Sequence, residues 1–456
     1  MKLLPFLATF SVVVSIPMPS VLAGDGVVDL TNLANYANQP VPAYITRNNA
    51  GANLITDQGA TLGRVLFYDR RLSRNDTIAC ASCHQQARAF SDTATASTGV
   101  AGTTGRHSMR LINARFAQEV RFFWDERAVS LEDQTTRPIR DHAEMGFSGA
   151  NGDPDFAALL AKLAAIADYR VMFAQTFGDA AITEARVQLA LAQFIRSIQS
   201  FDSKFDVGRA QVANNGQPFP NFTPQENAGK QLFITPPGQG GVGCQACHRA
   251  PEFDIDPASR NNGVITKIGG GTDLTNTRSP SLRDLLGPGG QTNGAFMHDG
   301  SLTTLNAVID HYNQIPATNT PGNNNNLDNR LRPGGQLQSL NLTQGQKDSL
   351  VAFLRTLTGS AVYTDARWSD PFDANGALSL IVLPAETVAV ENNGNGTATV
   401  SCLAAPGLTY QLWSSPDLQN WTSVATVTSD ANGLCEQVVT LSGTRFYRYT
   451  FDPPAS

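Results

Sequence analysis

Two pentapeptides constrain this chain more than anything else in it: Cys80-Ala81-Ser82-Cys83-His84 and Cys244-Gln245-Ala246-Cys247-His248. At CxxCH spacing two thiols reach both vinyl groups of one haem while the adjacent imidazole takes one axial face of the iron. Structural zinc sites would need a third and fourth Cys or His beside each motif, and the chain does not offer these at the usual spacing. The six residues Cys80, Cys83, His84, Cys244, Cys247 and His248 therefore read as the anchors of two covalent c-type haems, with His84 and His248 as iron ligands.

Such haems are attached after export, and the N-terminus fits that. Lys2, the apolar run from Leu3 to Val14 and Val21-Leu22-Ala23 before Gly24 match a signal peptide over 1–23, which predicts a periplasmic or extracellular mature chain. No later stretch is long and apolar enough to span a membrane. With 456 residues, 41% hydrophobic and 16% charged, the chain is globular and long enough for two or three domains. A formal net charge of -6 leaves no basic stripe for phosphates, which argues against nucleic acid as a partner.

The first motif follows Gly63, Leu66 and Phe67, and the second follows Gly229, Leu232 and Phe233, so the chain repeats a helix, a loop and a haem motif. Val187, Leu191, Phe194, Ile198 and Phe201 recur at helical spacing and predict a helix closing the first unit. Residues 206–222, with Asn214-Asn215-Gly216, Pro218 and Pro220, read as a linker. Thr343 and Gln346 fit a capping box before Leu350, Phe353, Leu354 and Leu357, with Gly359 as the stop. After Pro371 the texture turns to short β-branched runs and Asn-Gly turns. The expected fold is mainly α: a haem domain over 24–210, a second over 211–365, both cytochrome c-like and in tandem, and a small all-β, sandwich-like domain over 372–456. Tyr410, Trp413, Trp421, Phe446 and Tyr449 would fill the β core, with Cys402 and Cys435 bridged across it.

Phe122-Phe123-Trp124-Asp125-Glu126-Arg127, then Leu131-Glu132-Asp133-Gln134, Pro138 and Glu144-Met145-Gly146, resemble the bacterial di-haem cytochrome c peroxidases and their MauG-like relatives. The likeness extends through Leu72-Ser73, Pro280-Ser281-Leu282-Arg283, His298-Asp299-Gly300 and Leu350 to Thr358, covering roughly residues 50 to 360. It implies that Glu144 handles the peroxide proton over the first haem, that Gln134 and Pro138 share its pocket, and that Trp124 lies on the electron path between the haems. It also implies a distal ligand to the second haem at Tyr312, where typical peroxidases carry Met and the MauG branch Tyr; Met297 and His311 are nearby alternatives. Typical peroxidases cap the first haem with a loop histidine, and the corresponding stretch, Ser97-Thr98-Gly99-Val100, has none. His107 is the one nearby substitute for that cap.

The resemblance further implies hydrogen peroxide as substrate and a cytochrome c or cupredoxin as electron donor, and its members are often homodimers. A calcium ion between the domains is a family trait, held partly by carbonyls around Thr277 to Pro280. Here His107 stands where the family has an asparagine ligand, and imidazole suits that hard cation poorly. Two other functions remain open from sequence: a MauG-like oxidase of a protein or organic substrate, and a non-catalytic electron carrier.

Overall fold

Each haem motif is preceded by a helix that meets a later helix at a glycine. In the computed structural model, which describes residues 24–118, 121–275, 277–278, 281–382 and 388–451, the helix Asp57–Tyr68 packs along Glu184–Ser197. A Cβ added at Gly63 would run into the Ala190 carbonyl. In the second half Pro224–Ile234 packs along Gln344–Arg355, and Gly229 meets Ser349 in the same way. Only a hydrogen in place of a side chain allows helix backbones so close.

An equivalent aromatic trio surrounds each crossing. Phe67 lies 5.1 Å from Phe194 and 6.0 Å from Phe90, ring to ring; Phe233 lies 5.2 Å from Phe353 and 5.8 Å from Phe253. The internal repeat is thus structural. The capping box at Thr343 and Gln346 is present and opens the Gln344–Arg355 helix. In the Glu184–Ser197 helix Val187, Leu191 and Phe194 are buried, while Ile198 is its C-cap and Phe201 lies beyond it.

The stretch 206–222 is not a linker. Lys204–Arg209 is helical, and Phe205, Phe219 and Phe222 join the second hydrophobic core with Phe233, Phe253 and Phe353. The Asn-Gly-Pro texture marks a turn-rich surface loop but hides two phenylalanines, Phe219 and Phe222. Burying each contributes roughly 1.5–3 kcal/mol, enough to hold the loop down.

The C-terminal region holds two three-stranded antiparallel sheets. One orders Ala389–Asn392, Thr397–Leu403 and Leu434–Thr440; the other orders Phe446–Thr450, Thr409–Ser415 and Thr422–Thr428. Ala398, Val400, Cys402 and Cys435 from the first share a core with Tyr410, Leu412 and Tyr449 from the second, and the Tyr449 hydroxyl donates to the Val400 carbonyl. Phe446 is 40% exposed, and Trp413 and Trp421 flank Arg448 rather than fill the centre. Cys402 and Cys435 face each other across paired strands, as expected of a bridge, but both are thiols.

This core is continuous with that of the first haem-motif half. Val27–Asp29 pairs in parallel with Ser379–Ile381, and Gln175 donates to the Leu30 carbonyl beside it. The expected signal peptide, 1–23, lies outside the described residues. No helix among the described residues is long and apolar enough to cross a membrane.

Candidate active site

His84 ends the short Cys80–Cys83 helix, and its Nδ1 lies 3.1 Å from the Phe90 carbonyl oxygen. That carbonyl is aimed by two residues in the left-handed region, Ala89 at φ 52° and Phe90 at φ 59°. With Nδ1 engaged as a donor, Nε2 is the nitrogen left for a metal. His248 sits beside the Cys244–Ala246 turn with Nδ1 buried and without a hydrogen bond. Burial lowers both imidazoles, His248 to about 4, which keeps them in the neutral form that ligates iron. Burial also holds the thiols protonated, Cys80 and Cys244 to about 12, Cys83 and Cys247 to about 11. Paired thiols, a neutral imidazole and an adjoining cavity fit a covalent haem in each half.

The cavity beside His84 measures about 550 Å³ and brings together Trp124, Gln134, Pro138 and Glu144. Gln134 lies on the helix Leu131–Thr136, which begins where Ser130 accepts a hydrogen bond from Asp133 N. Glu144 lies in a loop clamped at its backbone: its N–H donates to Asp141, and its carbonyl accepts from Val100 N at 3.0 Å. The histidine-free loop at Val100 thus braces the Glu144 backbone, and Gly99 lies so close that a Cβ would strike Ala143 and Glu144. Burial, reinforced by Asp141 and opposed by Arg127, raises the Glu144 carboxyl to about 7. A group with that pKa can both take and return a proton at neutral pH.

The second cavity, about 110 Å³, is lined by Cys244, His248, Met297 and Tyr312. His311 is not among its lining residues; its Nε2 lies 2.9 Å from the Asn262 carbonyl. The Met297 sulfur accepts a hydrogen bond from Asn262. Burial raises the Tyr312 phenol above its ordinary value, opposed by a side-chain hydrogen bond with Asn262.

The repeat explains why the cavities differ. The bridge Phe122–Ala128, with Phe123 at φ 69° and Glu126 at φ 60°, matches the bridge Phe296–Leu302, with Met297 at φ 69° and Gly300 at φ 64°. Trp124 is therefore the counterpart of His298. Ser130 and Thr304 then cap equivalent helices, Leu131–Thr136 and Leu305–Asn313. In the same register Gln134 matches Val308, and Pro138, two residues past the end of its shorter helix, matches Tyr312. Where the second half presents a phenol, the first presents a proline ring with no ligating atom.

Trp124, 7% exposed, lines both cavities. Its indole N–H donates to the His107 carbonyl at 2.6 Å, and His107 N donates to the His298 carbonyl at 2.8 Å. The Trp124 and His298 rings stand 6.4 Å apart. Two arginines that sequence reasoning missed lock this junction: Arg106 pairs with Asp125 and Asp273, and Arg278 pairs with Glu126 while its backbone N–H donates to the Trp124 carbonyl. Neither carries a local signal, because each acts on a residue far along the chain.

At the position where an asparagine ligand to calcium was expected, His107 Nδ1 lies 2.9 Å from the Ala94 carbonyl. Residues 279 and 280 of the expected carbonyl loop lie outside the described residues.

The family model described as di-haem cytochrome c peroxidase matches residues 57–212. The methylamine utilization protein MauG of Methylophilus methylotrophus is 31% identical over 324 residues, 69% of this chain and 87% of that protein. The cytochrome c551 peroxidase of Nitrosomonas europaea is 26% identical over 358 residues, 76% of this chain and 90% of that one. Among solved structures, a MauG-like protein associated with microbial copper homeostasis superposes with a TM-score of 0.58 at 29% identity, over 73% of this chain and 99% of that one. With two haem anchors, an internal repeat around them and these relatives, the chain belongs to the di-haem cytochrome c peroxidase family of oxidoreductases.

Proposed function

We propose that this protein reduces hydrogen peroxide to water in the cavity beside His84, with electrons from a c-type cytochrome or a cupredoxin arriving through the His248 centre and Trp124. The observation that carries the reading is the inequality of the repeat: Pro138 and a carboxyl near pKa 7 on one side, Tyr312 on the other. A bound haem supplies the iron that accepts the electrons and the coordination position for peroxide. Around it, Glu144 takes the proton of the nearer peroxide oxygen and returns it to the departing one. The Gln134 amide orients peroxide or an ordered water without adding charge. Pro138 would offer a haem held by His84 no ligating atom, and Trp124 stands between the two cavities. The reaction consumes two electrons and two protons per peroxide and yields two waters. Two cytochrome c-like domains in tandem, and a sandwich of the two C-terminal sheets, complete this reading, with export as the route by which the haems are attached.

The test is peroxide-driven oxidation of reduced cytochrome c by the pure, fully oxidised holoenzyme. Turnover without pre-reduction is expected, because no histidine stands at Val100 to cap the first site. Strict dependence on pre-reduction would implicate a cap such as His107, and absence of turnover with any cytochrome or cupredoxin would overturn the reading.

A second reading, an oxidase of a protein or organic substrate on the same site, is favoured by Tyr312. Replacing Tyr312 with Phe is expected to change the absorption and paramagnetic resonance spectra of the second haem only. Unchanged spectra would move the ligand to Met297.

A further inference from the structure

Arg110 carries a charge that no ion pair among the described residues answers. It lies in the first half, three residues after His107, 9% exposed, and its Nε is buried without a hydrogen-bond partner. No ion pair forms with it among the described residues; the nearest charged influences are Asp284 and Tyr363, felt at longer range. Asp284 Oδ1 accepts from Gly359 N and from the Tyr363 hydroxyl while its Oδ2 is buried without a partner; the carboxylate forms no ion pair with Arg110, and burial lifts it to about 6. Burial depresses the guanidinium itself to about 10, so it stays charged at neutral pH.

A buried, unpaired guanidinium is a large cost that proteins retain only where an anion completes the site. Two observations say where that anion comes from. Arg110 lines the cavity beside His84 and also the cavity beside His248, together with His107, Ser108 and Trp124. The group fitted to each cavity is a haem, and a haem carries two propionate carboxylates, which suit the planar fork of a guanidinium.

We propose that Arg110 is a shared counter-ion for both haems, pairing with a propionate of each. This rests on the reading of both cavities as haem sites. Arg110 would hold a carboxylate of each haem at the place where both cavities meet beside Trp124. As a fixed cation it also favours the reduced state of both irons. Arg110 is a positioning and potential-setting residue; proton transfer is left to Glu144.

The experiment compares wild type with Arg110→Lys and Arg110→Gln, each as holoprotein, by haem quantification and by spectroelectrochemical titration. Two haems per chain in wild type are the condition for both readings: a different count overturns the underlying reading and this proposal with it, whereas a failure confined to the variants overturns this proposal alone. With two haems retained, Arg110→Gln is expected to lower the reduced-to-oxidised ratio at fixed potential about tenfold for both haems, a downward shift of about 59 mV for a one-electron couple. Arg110→Lys, which keeps the charge, is expected to restore most of that shift. A purely structural role would make both variants lose haem or stability alike without this separation. Potentials unchanged in Arg110→Gln, or moved at one haem only, overturn the proposal.

Discussion

Replacing Glu144 with Gln is expected to cut peroxide turnover by ~10²–10⁴-fold while both haems remain attached. Gln keeps the size and hydrogen-bonding reach of the side chain but cannot accept and return a proton, so binding survives and bond cleavage suffers. The pH profile gives an independent check. The Glu144 carboxyl sits near 7 because burial and Asp141 disfavour its charged form, and the basic form is the one that acts. The wild-type rate is therefore expected to rise with pH through about 7 and to fall below it, and this limb should vanish in the variant. Equal turnover in the two proteins, or a limb that persists in Glu144→Gln, removes Glu144 from the reaction.

Replacing Asp206 with Ala is expected to destabilise the fold by about 3–5 kcal/mol, because it strands a buried cation. Arg283 is fully buried and donates to both oxygens of Asp206 at 2.8 Å. The same carboxylate accepts from the Tyr44 hydroxyl, so it ties the N-terminal segment to the second half. Arg283 also lies against the rings of Phe201, Phe205 and Phe253, which leave no room for water to take over. The pairing with Arg283 holds the Asp206 carboxyl below its ordinary value despite burial. Its contribution is thus present above the unfolded carboxylate pKa of about 3.9 and is lost as pH falls through the lower folded value. Denaturant unfolding at neutral pH measures the effect, and a loss under about 1 kcal/mol would show that Arg283 finds another partner.

Much of the candidate site was legible in the residues. The CxxCH motifs announce themselves because two thioether bonds and an axial ligand demand a fixed local spacing. Trp124, Gln134, Pro138 and Glu144 could be named from one continuous stretch, and they line one cavity. The helix from Gln344 to Arg355 was readable from its cap because Thr343 and Gln346 satisfy each other's backbone within one turn. Phe219 and Phe222 escaped the same reasoning, since polar turn residues around them dominate any local window. The opposed thiols of Cys402 and Cys435 were placed in one region by sequence, but their state was not. Arg106 and Arg110 carry no signal in the sequence; the ion pairs of the first and the burial of the second beside both cavities make them candidates.

What the sequence determined by itself is the chemistry encoded over short spacings: where haem attaches, where helices begin, and which stretch carries a carboxyl, an amide and an indole together. Tertiary structure alone decided that Pro138 and Tyr312 are counterparts, that Val27–Asp29 pairs with Ser379–Ile381, and that Trp124 and Arg110 touch both cavities. The reason is physical. Spacings within a turn or a motif are set by covalent geometry and local hydrogen bonds, whereas meetings between distant segments depend on which faces the collapsed chain buries together.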